Sequence, residues 1–489
     1  MAMIEFVRRL MVATNPIWPF SVVNPLPYRL AVDRFAALCC QGAPVRSSYL
    51  RHSLTRGDWV PGSSDIDVTV LTSGGLSPAD EYAFLSTFWR RQSRLQWALP
   101  MLKDVALLPE HHLPSWSKFS IIGHEVAGWQ PLTGAAAVTS AYLATPERLE
   151  LDSLCHALSL YRYTFLDRLN RPGGDWSHLA LIDLRRLTAK ILRYAGGDGE
   201  TAGTASDAVL DPFDLGGRLL VTLETRCREA LPRIVDAYSS RGNPDWQFLF
   251  DPTRRPPRRE SLEIGVPAGR GHVVEGVLRS HGDTFVILSD GLDAAVLSRC
   301  LRAALTADAG APPVVLPRSV FDILVRVFQP YLFVQLNADR CLLAGEDPIE
   351  RLPFPAPFFF AHCLLSMVSA SREMLFPRGR ETILSTDSGW FAGRSFQSLL
   401  RRSLLSKLFL DRGQVAEWFP DPPAAWQTHY PETGRRIAEL LCAGADLSPT
   451  RRNQAWFELT SGITEDIHRG IASRSIDEAL YAPQSGLDG

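Results

Sequence analysis

Tyr49-Leu50-Arg51-His52-Ser53-Leu54-Thr55-Arg56-Gly57-Asp58-Trp59-Val60-Pro61-Gly62-Ser63-Ser64-Asp65-Ile66-Asp67-Val68-Thr69-Val70-Leu71 is the stretch on which the reading of this chain turns. Val45 to Leu50 reads as a first strand. Gly57, Pro61 and Gly62 mark a turn region, and Asp65 to Thr72 alternates as a second strand. Side chains alternate along a strand that rises about 3.3 Å per residue, which puts Asp65 and Asp67 on one face, roughly 6.6 Å apart at Cα. Ile66, Val68 and Val70 take the other face. Two carboxylates beside a loop rich in backbone donors suit a magnesium–phosphate site.

The arrangement resembles the signature of the DNA polymerase β-like nucleotidyltransferase superfamily, in which a hydrophobic residue, Gly, and Ser or Gly precede a short spacer and an Asp–hydrophobic–Asp pair. The run from Leu50 to Asp67 is similar to the small-molecule adenylyltransferase branch. That resemblance implies transfer of a nucleoside monophosphate, AMP from ATP, to an acceptor hydroxyl with Mg²⁺ or Mn²⁺. It implies Asp65 and Asp67 as metal ligands, with His52, Ser53, Arg56 and Ser64 around the triphosphate. His52 stands where the family has Gly, and a side chain there predicts partial obstruction of the backbone's approach to the phosphates.

The resemblance also implies a third carboxylate on a later strand, as metal ligand or general base. Pro78 to Leu95 has a helical apolar face of Tyr82, Phe84, Leu85, Phe88 and Trp89. Met101 to Leu108 then reads as a buried strand with Asp104 in its middle, where an unpaired carboxylate is costly. A metal shared with Asp65 and Asp67 satisfies it. An ion pair with Lys103 or Arg51, or a position at the strand edge, does so too. Farther on, Arg185, Arg186, Lys190 and Arg193 line much of a helix from Leu179 to Tyr194. Such a face is ordinarily solvated; the sharper reading sends Lys190 or Arg193 to the nucleotide phosphates.

At 489 residues the chain is too long for one ordinary core. A net charge of −2 gives no global electrostatic case for long nucleic acid as a partner. The eight cysteines show neither CxxC spacing nor a small secreted framework, which predicts reduced thiols in a cytoplasmic protein. Cys39-Cys40, in an apolar helical stretch, reads as core. Glu5, Arg8 and Arg9 interrupt the N-terminal apolar residues against a signal peptide, and the apolar run from Phe354 to Leu365 is too short to span a bilayer.

The expected class is α+β: a small mixed sheet with helices forming a nucleotidyltransferase core, then helical segments, a second degenerate unit of the same kind, and C-terminal helices. The expected boundaries are a catalytic core at 1–140, a helical acceptor-side domain at 141–250, a linker at 251–263, the second unit at 264–350, a helical domain at 351–480 and a disordered tail at 481–489. The second unit rests on a hairpin from His272 to Leu278 and Thr284 to Leu288, a helix from Leu292, and Val314-Val315-Leu316. Matching Thr69–Gly74 to Val286–Gly291 puts Gly282 and Thr284 at the positions of Asp65 and Asp67. Matching Leu108-Pro109 to Leu316-Pro317 puts Pro312 at that of Asp104. An unrelated helical α+β domain is the alternative.

His111-His112 reads as a loop at the mouth of a cleft, since adjacent side chains diverge and make a poor pair of metal ligands. There is no HExxH, Walker or GxGxxG motif. The expected activity is metal-dependent nucleotidyl transfer to an unidentified small molecule or protein. A nucleotide-binding pseudoenzyme or scaffold, and a nucleotide second-messenger synthase, are the rivals.

Overall fold

A computed structural model describes residues 2–42, 44–51, 53–57, 59–62, 64–114, 125–134, 145–170, 178–196, 211–241, 245–260, 273–280, 283–306, 312–369, 376–387, 389–417, 419–443 and 446–472. The fold is α+β: helices predominate around small mixed sheets. Among the described residues no single helix is long and apolar enough to cross a membrane. Two compact units divide the chain. One comprises Met1–Ala144, Leu364–Gln414 and Phe419–Asp477; the other comprises Thr145–Cys363, Val415–Trp418 and Glu478–Gly489. The segment 351–480, expected as one helical domain, is thus divided between them.

The first unit is built on strands β1 (Val45–Arg51), β2 (Ile66–Thr72), β3 (Leu102–Pro109) and β4 (Gln130–Thr133), in the order β3-β2-β1-β4. β1 pairs antiparallel with β2 and β4, and β2 pairs parallel with β3. A parallel pair needs a crossover, and the helix Pro78–Ala98 supplies it. Ser77 caps that helix by accepting from the Asp80 N–H at 3.2 Å, and Pro78 sits in its first turn. Its Leu85, Phe88 and Trp89 pack on Ile66, Val68 and Val70, as the strand parity predicts. Fully burying each such side chain stabilises the fold by about 1.5–3 kcal/mol. Phe35 from the helix Leu26–Cys39 and Phe457 from the helix Pro449–Ala472 complete this core. Cys39 and Cys40 are buried and free, and burial pushes their thiols up to about 12 and about 11.

The second unit carries β5 (Arg258–Arg259), β6 (Val274–Ser280), β7 (Asp283–Leu288), β8 (Val314–Pro317) and β9 (Cys341–Gly345), in the order β5-β9-β6-β7-β8. β6 pairs antiparallel with β7 and β9, while β7 pairs parallel with β8 across the helix Ala294–Thr306. Four of these strands therefore repeat the order and senses of the first sheet. The bulges repeat as well. Val45 pairs with Thr72 and Ser47 with Leu71, as Val274 pairs with Leu288 and Gly276 with Ile287.

Two expectations are corrected here. The basic stretch expected to be a linker contributes β5, where Arg258 and Arg259 pair with Cys341 and Leu342; backbone pairing needs no apolar side chain, so polarity concealed the strand. The internal match also shifts by one residue. Arg51 pairs with Asp67 as Ser280 pairs with Asp283, so Asp283, and not Thr284, holds the position of Asp67. Counting back from the pairs Thr72–Pro109 and Leu288–Pro317 places Pro312 at the position of Asp104.

Candidate active site

The loop between β1 and β2 is shaped by buried hydrogen bonds. One helical turn, Ser53–Arg56, follows β1. Gly57 and Gly62 then take φ of 76° and 87°, the left-handed region that glycine enters without strain. The Tyr28 hydroxyl donates to the Ser64 carbonyl at 2.7 Å and accepts from the Gly62 N–H at 2.9 Å. Arg8 Nε donates to the Gly62 carbonyl at 2.7 Å. The Ser64 hydroxyl is buried and accepts from the Val60 N–H at 2.8 Å, so it holds the turn. His52 lies outside the described residues, as do the side chains of Ser53 and Arg56.

The loop delivers the chain to a row of charge. Arg51 on β1 pairs in register with Asp67 on β2, and Asp67 with Asp104 on β3. Neighbouring strands lie about 4.8 Å apart, so the two carboxylates stand side by side. Asp65, just before β2, forms an ion pair with Lys103 at 3.1 Å. Asp104 does not lie within a buried run: its side chain is 63 % exposed. The cause is a bulge. Ile66 pairs with Leu102 and Asp67 with Asp104, leaving Lys103 as the extra residue; both 103 and 104 are therefore exposed, and burial resumes after them. The counterion of Asp104 is Arg51, 3.5 Å away. Arg51 is itself almost fully buried, and its Nε and Nη2 make no hydrogen bond. Lys190 is half-buried on the helix His178–Tyr194 of the second unit.

In the second sheet the corresponding register positions hold Asp283 and Pro312. Asp283 is neutralised by Arg162 at 2.8 Å, and Pro312 replaces the acid on the third strand. Comparison with known proteins finds no matching family model, curated protein or solved structure. The geometry of this chain carries the functional reading alone.

A second polar cluster escaped the sequence reading. His112 is fully buried, and its Nε2 lies 2.9 Å from Oε1 of Glu465; His111 Nε2 lies 3.1 Å from Oε2 of the same carboxylate. His468, one helical turn beyond Glu465, packs against His112 with ring centroids 4.1 Å apart and planes tilted by 37°. Burial, then His112 and His111, hold His468 down to about 3, and burial also lowers His112. Burial opposes ionisation of Glu465, but hydrogen bonds from His112 and His111, together with Arg378, hold it well below the usual carboxylate range. The spacing Glu-x-x-His at 465–468, which sets both residues on one helix face, was the available signal.

Proposed function

We propose that the first unit is a metal-dependent nucleotidyltransferase. The observation that carries the reading is the register row in which Asp67 and Asp104 stand side by side on parallel strands, with Asp65 two residues before Asp67. Their donors are all carboxylate oxygens, the ligand type that suits Mg²⁺ or Mn²⁺, and Lys103 and Arg51 already answer the surplus negative charge. Asp65, Asp67 and Asp104 would hold the metal, which supplies charge neutralisation for a triphosphate and an acceptor oxygen. Asp104, the more accessible member of the two ion pairs' carboxylates, would alternatively take the acceptor's proton. The turn Ser53–Arg56 would offer backbone N–H groups to the phosphates, while the loop after it is held in shape by Tyr28 and Ser64, which accept from the Gly62 and Val60 N–H groups. The strand order β3-β2-β1-β4 with its parallel β2–β3 pair supports a nucleotidyltransferase core, and its repetition supports a degenerate second copy without a metal triad.

The test is incubation of the protein with each labelled nucleoside triphosphate, Mg²⁺ or Mn²⁺ and candidate acceptor hydroxyls. Pyrophosphate release that vanishes in Asp67→Ala supports transfer, and the product's mass separates a small-molecule or protein acceptor from a nucleotide one. The ion pairs of Asp65 with Lys103 and of Asp104 with Arg51 favour a second reading, a nucleotide-binding protein without turnover. Binding of ATP without pyrophosphate release would select it.

A further inference from the structure

The three histidines of the first unit offer one ligand nitrogen each, and those nitrogens all lie within 4.8 Å of one another. A tetrahedral ion with metal–nitrogen bonds of about 2.0–2.1 Å holds its nitrogens roughly 3.3 Å apart. A contraction of about 1.5 Å or less, within the reach of small ring rotations, converts the cluster into a chelate. We propose that His111, His112 and His468 bind one divalent transition-metal ion of the zinc class, with Glu465 as the carboxylate that orients the first two rings.

The tautomer argues for it. In a neutral imidazole one nitrogen is a donor and the other carries a lone pair. Nε2 of His112 lies 2.9 Å from the Glu465 carboxylate without completing a hydrogen bond to it; a proton on that nitrogen is favoured by the carboxylate and leaves the lone pair on Nδ1. That Nδ1 is buried on a fully enclosed side chain and has no hydrogen-bond partner. A buried acceptor without a donor costs about 1–3 kcal/mol, and a metal ion removes that cost. A carboxylate holding the far N–H of a ligating histidine is also the usual support for zinc-bound imidazole. Glu465 holds two.

The surroundings permit both charge and access. Arg378 adds a positive charge 3.5 Å from Glu465, and Glu81 offsets it with a 2.7 Å ion pair. His111 is the exposed member and lines a cavity of about 320 Å³ together with Gly74, Arg378 and Glu465. Its Nδ1 lies against Gly74, where a Cβ would approach to 2.9 Å, so the glycine leaves room for the ring. Nitrogen ligands select zinc-class ions over Mg²⁺, which makes this site chemically distinct from the carboxylate row.

The experiment uses the full chain in a Cys442→Ser background, because Cys442 is the exposed thiol and would bind zinc by itself. After chelator treatment, Zn²⁺ and Co²⁺ are titrated by calorimetry and by visible absorption. One equivalent is expected, with a Co²⁺ spectrum of nitrogen ligation. His111→Gln, at an exposed position, is expected to weaken binding tenfold or more, and Glu465→Gln by about 10–100-fold. His468→Gln is read only with an unchanged circular dichroism spectrum. Absence of stoichiometric binding in the parent, or affinity unaltered by His111→Gln, overturns the assignment.

Discussion

Gly134 and Gly345 hold the same position in two separate sheets. Gly134 directly follows β4 and Gly345 ends β9, with positive φ of 84° and 73°, and at each a side chain would strike a carbonyl of the neighbouring strand, that of Arg46 or of Glu275. The repeated bulges and strand order make this a shared plan rather than a coincidence of turns. Gly134→Ala and Gly345→Ala are each expected to cost about 2–5 kcal/mol, from backbone strain plus collision. Gly291→Ala, with φ 78° but no atom within 4 Å, is expected to lose only about 1–2 kcal/mol. Denaturant midpoints measure all three, and equal losses would mean that the close approach contributes nothing.

Asp67→Asn and Asp104→Asn are expected to reduce nucleotide transfer by at least about 100-fold, in the range seen when a group stabilising transition-state charge is removed. Asp104→Asn also takes the counterion from buried Arg51, so it should lower the melting temperature modestly without unfolding the protein. Pyrophosphate release and thermal unfolding of the same preparations decide it; unfolding of Asp104→Asn would make the residue a structural one.

Arg51 is a buried cation beside carboxylates that are proposed to bind metal. Arg51→Met is expected to tighten Mg²⁺ binding about tenfold, since a competing charge leaves the row, and to leave stability level or higher. Titration of Mg²⁺ into both proteins tests this. Weaker binding in the variant would assign Arg51 to holding the carboxylates in place.

The histidine cluster predicts acid sensitivity. The unfolded chain takes up a proton on His468 near 6.5, whereas the folded chain resists until about 3. The unfolded state therefore binds more protons between those values, and stability falls as pH drops through that window. Glu465, depressed in the fold, acts in the same direction below its ordinary value. The groups facing His468 are His111, His112, Glu465 and Arg378, and none reverses the sign. Urea midpoints of metal-free protein at pH 7.5 and pH 5 should differ, and His468→Leu should flatten the difference. A slope unaltered by that substitution would refute the buried neutral ring.

Much of the fold was legible. The strands at 45–50 and 65–72 and the helix beginning at Pro78 were located to within a few residues, because apolar alternation and the Ser77 cap are local signals. The position of Pro312 followed from the Leu-Pro pair shared by β3 and β8. Bulges were not legible. The extra residue at Lys103 turns Asp104 outward, and no local pattern announces it. The histidine cluster joins residues more than 350 positions apart, so adjacency at His111-His112 misled while the decisive partners stood on a distant helix. Helix periodicity gives a face without naming what covers it.

The interruption of the first unit between residues 144 and 364 sets an order of events during synthesis. The strand that carries Ile66, Asp67 and Val68 emerges roughly 380 residues before the helix that brings Phe457 to the core. Leu85, Phe88 and Trp89 follow the strand within some 20 residues, but at about 5–20 residues per second the core waits about 20–75 s for Phe457 to complete its cover. For that interval the part of the core that Phe457 covers stays open, and a destabilising substitution in the helix Pro449–Ala472 would be felt as aggregation of the first strands.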